Sequence, residues 1–150
     1  MDFVGYTDAS YNNVALEGGW AYAIRDSNRK VVMEGSGWAG KSTPSQLELL
    51  AIYEAAKAMP YEGECEIVTD SKESYQYAIG LMTPHTGNRI QKALRDVATA
   101  KGIRFRWAPR STSKGNRRAH QLARLAMDRG YFRMTTHISW RNIPIGIKLG

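Results

Sequence analysis

The chain has 150 residues, 43% hydrophobic and 23% charged, which suits one globular domain with a real core and leaves too little for two. No stretch approaches the roughly 18 uninterrupted apolar residues of a membrane span, so a soluble protein is expected. The net charge of +7, from 21 Lys and Arg against 14 Asp and Glu, attracts polyanions and puts nucleic acid first among the partners.

The elements read in order as follows. Phe3 to Asp8 is a strand, and nothing before it has the basic, apolar and small-residue regions of an export signal. Two more strands follow at Gly19 to Arg25 and Lys30 to Trp38, joined by the turn-rich Asp26-Ser27-Asn28-Arg29, so three antiparallel strands open the fold. Thr43-Pro44-Ser45-Gln46 carries a helix cap, a first-position proline and a capping-box glutamine. The helix it starts shows Leu47, Leu50, Ala51, Ala55, Ala58 and Met59 at helical spacing and stops at Pro60. Cys65 to Thr69 is a short apolar strand ending at Asp70, followed by a helix from about Ser71 to Ile79 with Gly80 as its stop. As a lone cysteine, Cys65 has no disulfide partner or zinc-site companion, which fits a reducing compartment and a cytoplasmic location.

Ile90, Leu94, Val97 and Ala98 mark a further helix closed by Gly102. Ile103, Phe105 and Trp107 alternate with Arg104 and Arg106, giving a strand with one apolar and one basic face. Asn116 is the expected cap of a last helix with the stripe Ala119, Leu122, Ala123 and Ala126. The order βββαβααβα predicts an α/β fold with a mixed sheet and helices packed on its faces. One domain is expected over residues 1–130. After it comes a basic and aromatic tail, residues 131–150, with Arg133, His137, Trp140, Arg141 and Lys148 suited to phosphate contact and stacking. Its Ile138, Trp140, Ile143, Ile145 and Ile147 suit packing back on the domain equally well.

Asp8 and Asp70 end strands, and Glu48 lies near the start of the first long helix. Strand ends and adjoining helix starts are where sites form in open sheets. Three carboxylates converging there would repel one another unless a cation held them, and hard oxygen donors select Mg²⁺ or Mn²⁺. Taken singly, each has a bland explanation: a helix cap for Asp70, a solvated face for Glu48, a turn for Asp8.

Five segments, in order, carry a resemblance: Tyr6-Thr7-Asp8-Ala9-Ser10, the Gly18-Gly19 pair, Gln46-Leu47-Glu48-Leu49, Ile67-Val68-Thr69-Asp70-Ser71, and Asn116 through Ala123. Together, across about residues 3 to 127, they resemble the ribonuclease H family. The resemblance implies a five-stranded mixed sheet, three antiparallel strands then two parallel ones, with helices on both faces. It also implies an endonuclease that hydrolyses the RNA strand of RNA–DNA hybrids with two Mg²⁺ or Mn²⁺ ions, leaving 3′-hydroxyl and 5′-phosphate ends. Asp8, Glu48 and Asp70 match catalytic, metal-holding positions, with Asp8 as the bridging carboxylate. The fourth position usually carries aspartate and here carries His120, a departure that bears on metal preference more than on reaction type.

Substrate contacts implied by the resemblance are Thr43, at a position that holds a phosphate of the DNA strand, and Ser45 and Gln46, which replace the more usual Asn and basic residue. Ser10, Asn13, Lys72 and Asn116 match polar positions beside the site. The basic helical insertion of some members would fall near residues 80–88, where this chain has only a short link, and Arg110, with Arg104, Arg106, Lys114, Arg117 and Arg118, stands to compensate. No protein partner is readable, and a monomer is expected.

Two rivals remain at this stage. Gly35-Ser36-Gly37-Trp38-Ala39-Gly40-Lys41-Ser42 satisfies the P-loop pattern, although Thr43-Pro44 starts the helix two residues too late for it. A module that binds hybrids without cutting them is the other. Integrase-like and proofreading nucleases are disfavoured by the order and spacing of the acids.

Overall fold

A computed structural model describes residues 1–84, 88–110 and 114–128, so the tail expected at 131–150 lies outside the described residues. The elements are β1 (Phe3–Asn12), β2 (Glu17–Asp26), β3 (Val31–Ala39), α1 (Pro44–Ala58), β4 (Cys65–Thr69), α2 (Lys72–Ala78), α3 (Asn88–Lys101), β5 (Arg104–Trp107) and α4 (Lys114–Asp128). Their order is the one expected from the periodicities. The sheet runs β3-β2-β1-β4-β5, with β1–β2 and β2–β3 antiparallel and β1–β4 and β4–β5 parallel. Among the described residues no helix is long and apolar enough to cross a membrane.

Helix α1 starts as its sequence dictates. The Thr43 side chain accepts from the Gln46 N–H while the Gln46 side chain accepts from the Thr43 N–H, and Pro44 occupies the first turn. The helix is buried nearly all round, from Gln46 and Leu47 through Ala56, as a helix packed between a sheet and other helices must be. Leu47, Leu50, Ile52, Met59, Ile67, Ile90 and Leu94 form the main core there. On the opposite face α4 covers a smaller cluster of Tyr6, Val68 and Ala119. Its approach depends on Gly19, where a Cβ would collide with the Ala123 carbonyl and the Met127 amide. Small residues on both sides thus bring helix backbone onto strand backbone.

Two expectations need correction, and one rival reading falls. Strand β1 does not stop at Asp8: it continues four residues to Asn12, because Ala9 to Asn12 pair with Glu17 to Trp20 in the hairpin. Asp8 nevertheless lies past the end of the parallel half, since pairing with β4 stops at Tyr6↔Val68. Asn116 does not cap α4, which begins two residues earlier at Lys114. The P-loop reading fails because Gly35 to Ala39 lie within β3, paired with β2 from Gly18 to Tyr22. An extended strand leaves no loop to wrap a phosphate.

Candidate active site

Asp8 shares the α4-side face of β1 with Tyr6 and Ser10, because side chains alternate along a strand and Tyr6 packs in the α4-side cluster. Asp70 follows the last residue of β4, and Glu48 sits in the second turn of α1. These elements meet at one end of the sheet. Carboxylate oxygens of Asp8, Glu48 and Asp70 all lie within 4.8 Å of one another.

The Asp8 carboxylate is fully buried. Its Oδ1 accepts from the Ala9 N–H at 2.9 Å, and its Oδ2 lies 2.7 Å from His120 Nδ1. His120 is carried there by α4, so the close seating of that helix on the sheet sets the contact. With a carboxylate as partner, Nδ1 carries the proton and Nε2 is left as the acceptor. Among the described residues the compact ligand set comprises the three carboxylates, and His120 stands one hydrogen bond outside it.

Arg110, expected as a substrate contact, reaches the carboxylates themselves. Its Nε donates to Asp70 Oδ2 at 3.0 Å, and its Nη2 lies 3.3 and 3.4 Å from the two Asp8 oxygens. Sequence reading missed this because β5 and its trailing loop join the acids only through the sheet. The pair Asp8 and Asp70 is therefore crossed by one guanidinium, whose side chain remains 55% exposed.

Burial raises the Asp8 carboxyl above its ordinary range, and the neighbouring Asp70 charge adds to this, against the lowering pull of His120 and Arg110. Burial likewise pushes Glu48 well above its ordinary range, with Asp8 and Asp70 adding their repulsion. Glu48 Oε2 is buried with no hydrogen-bond partner among the described residues. An orphaned carboxylate oxygen facing two further carboxylates is a poor structural end state and a good donor set for a hard cation. The residues fit a divalent ion.

The remaining candidates are distributed around this centre. Ser10 is half-buried on β1, two residues beyond Asp8 on the same face. Asn13 is exposed in the β1–β2 turn, five residues and therefore roughly 16 Å along the chain from Asp8. Thr43 is exposed at the α1 cap, and the Ser45 hydroxyl donates to Glu73. Gln46 departs from expectation: it is buried, and its amide oxygen closes the capping box, which turns it away from solvent. Asn116 is buried on α4 one turn before His120. Lys72 opens α2 beside Asp70 and holds its ammonium 5.9 Å from the centre of the Trp107 ring.

The sequence model of the RNase H family matches residues 2–128. Ribonuclease HI of Campylobacter jejuni is 39% identical over 66 residues, 44% of this chain and 44% of that protein; the chain thus matches under half the length of the curated relatives. RNase H1 of the halophilic archaeon Halobacterium salinarum superposes with a TM-score of 0.72 at 23% identity, covering 84% of this chain and 97% of that one. The compost-derived LC11 RNase H1, solved in complex with an RNA/DNA hybrid, superposes with a TM-score of 0.66 at 19% identity, covering 85% of this chain and 97% of that one.

Proposed function

Because this chain belongs to the RNase H family, we propose that it is an endonuclease hydrolysing the RNA strand of RNA–DNA hybrids. The observation that carries the reading is the carboxylate set of Asp8, Glu48 and Asp70 within 4.8 Å, with an orphaned oxygen on Glu48. The hybrid bound by the LC11 enzyme supports the substrate class.

On this reading the site takes two ions, Mg²⁺ or Mn²⁺, held by Asp8, Glu48, Asp70 and His120, and their charge would polarise the scissile phosphate and acidify a water. Asp8 is common to both contacts, lying within 4.8 Å of Glu48 and Asp70 and hydrogen-bonded to His120. The His120–Asp8 hydrogen bond fixes the imidazole tautomer and presents Nε2 as a base or a nitrogen donor. Nitrogen suits Mn²⁺ better than Mg²⁺, so Mn²⁺ supports activity at lower concentration.

Arg110 neutralises the carboxylates before substrate arrives and, being half-exposed, can turn to a strand phosphate without opening the core. In the reaction water oxygen adds to phosphorus, the P–O3′ bond breaks, and the departing oxygen takes a proton. The products are a 3′-hydroxyl and a 5′-phosphate. Ser10, Thr43, Ser45, Lys72 and Asn116, on or next to the elements that carry the carboxylates and His120, are the proposed strand contacts, and a ribose 2′-hydroxyl bound by one of them would separate RNA from DNA.

The decisive assay compares RNA–DNA hybrid, double-stranded RNA, single-stranded RNA and DNA, each in Mg²⁺ and in Mn²⁺. Selective cutting of the RNA strand in the hybrid supports the reading. Hybrid binding without cleavage in either metal would replace it with the binding-module alternative. Substitution of His120 by Asp is expected to improve use of Mg²⁺, and an unchanged metal profile in His120→Asp and His120→Ala would remove His120 from the metal site.

A further inference from the structure

Trp107 is exceptional among the described tryptophans. Trp20 and Trp38 are buried in the fold, whereas Trp107, the last residue of β5, keeps 42% of its surface exposed. The alternation along β5 places it on the apolar side, yet the strand ends at the rim of the sheet and leaves the ring in the open beside the carboxylates. It is held there by two contacts. Its indole Nε1–H donates to the Asp70 carbonyl at 3.3 Å, and the Lys72 ammonium lies 5.9 Å from its ring centre, at the outer limit of a cation–π contact. The next residue, Ala108, donates its N–H to the Thr69 carbonyl at 3.0 Å, which locks this corner of β5 against the end of β4.

We propose that Trp107 is a positioning residue that seats Lys72, holding its ammonium at the ring face to contact a phosphate of the bound nucleic-acid strand. A lysine side chain loses considerable rotamer freedom when it is fixed at a phosphate, and a ring that gathers the ammonium beforehand lowers that cost. The indole N–H is bonded to the Asp70 main-chain carbonyl, which ties the ring that faces the Lys72 ammonium to the end of β4. Without metal Arg110 is held by Asp8 and Asp70, so under the metal-free conditions of the test the phosphate contact at this corner falls to Lys72.

This inference rests on the hybrid-binding part of the proposed function. Its test measures equilibrium binding of an RNA–DNA hybrid to the full chain without divalent ions, across a salt series, for the wild type, Lys72→Ala, Trp107→Leu, Trp107→Phe and the Lys72→Ala/Trp107→Leu double variant. Lys72→Ala is expected to weaken binding several-fold and to reduce the log–log salt slope by about one. Trp107→Leu should reproduce both changes, Trp107→Phe should stay within about twofold of the wild type because a ring remains to receive the cation, and the double variant should be no weaker than either single one. Thermal melting of each variant identifies any that lose the fold. Trp107→Leu with wild-type affinity and slope, or losses that add in the double variant, would overturn the seating role; additive losses would mean that the ring meets the strand independently. A wild type that binds no hybrid sinks the functional reading instead.

Discussion

At the C-terminal end of α1 the carbonyls of Ala56, Lys57 and Met59 converge on the Lys101 ammonium at 3.0, 2.6 and 2.6 Å, and the Tyr61 ring lies 4.9 Å away as a fourth wall. Near its other end the same helix holds Glu48 against Asp8 and Asp70 with a buried oxygen that meets no donor. Both places bury charge. In the first the chain supplies the whole answer, three acceptors for three N–H groups at a helix terminus that already favours a cation. In the second three acceptors face one another, and the partial relief from Arg110 comes from a half-exposed side chain. A fully satisfied buried charge belongs to the architecture, while an unsatisfied set of like charges marks a place where something must be bound.

The comparison is tested most strongly at the carboxylates. Asp70→Asn and Asp8→Asn are each expected to lower hybrid cleavage by about 10² to 10³-fold or more, the scale of losing one electrostatic stabiliser, without loss of the metal-free fold. A cleavage time course together with circular dichroism melting checks this, and near-normal turnover in either variant would place the metal elsewhere. Lys101→Met makes the opposite change. Three buried carbonyls lose their donor, at about 2–3 kcal/mol, so melting falls by roughly 5–10 °C while the rate per folded molecule is unchanged; a melt equal to the wild type would show that the ammonium does not hold the helix end.

Acidity sharpens the contrast further. Since Asp8 and Glu48 bind protons above the ordinary carboxylate range, and a ligand must be deprotonated to hold a cation, Mn²⁺ affinity should fall as pH drops through that raised range. Each proton taken up weakens binding by up to about tenfold per pH unit. Calorimetric titration with Mn²⁺ between pH 5 and 8 follows this, and an affinity flat over that window would contradict the burial of the pair.

The smallest effect is on the metal-free fold itself. A carboxyl whose folded pKa is raised contributes stability below its unfolded pKa and loses that contribution as pH rises through the folded one. At neutral pH Glu48 is therefore a liability without its ion. Glu48→Gln should raise metal-free stability by on the order of 1 kcal/mol, with the advantage over the wild type widening as pH increases. Urea melts in chelator at several pH values measure it, and a destabilised Gln variant would mean that the carboxylate is better satisfied than the structure indicates.

What the sequence could reveal follows the same division between local and distant causes. The capping box of Thr43 and Gln46 was readable because donor and acceptor lie three residues apart, and the element order was readable because periodicity is local. The acids stood out through their residue types at the ends of apolar runs. The burial of Gln46 was not readable, because the capping box names its partner but not the packing around it, and Asn116 was mistaken for a cap because Lys114 and Gly115 are already helical. Arg110 and Lys101 were opaque for a different reason: their partners lie 40 or more positions away, and a basic residue by itself reads as a solvated one. Trp107 was read only as part of the apolar face of its strand, because alternation assigns a face without telling where the sheet ends.

The central strand also gives the site a history. β1 meets β2 across a short hairpin, but its parallel partner β4 lies about sixty residues further along. Closing that larger loop costs on the order of 1 kcal/mol more chain entropy, and a ribosome adding about 5–20 residues per second delivers β4 several seconds after the hairpin. Asp8 and its hairpin partner are thus synthesised seconds before Asp70, and then His120 on the last described helix, can reach them. The three acids are not all present until nearly half of the polypeptide has been made, and the capacity to gather a cation arrives together with the contacts of high sequence separation that complete the fold.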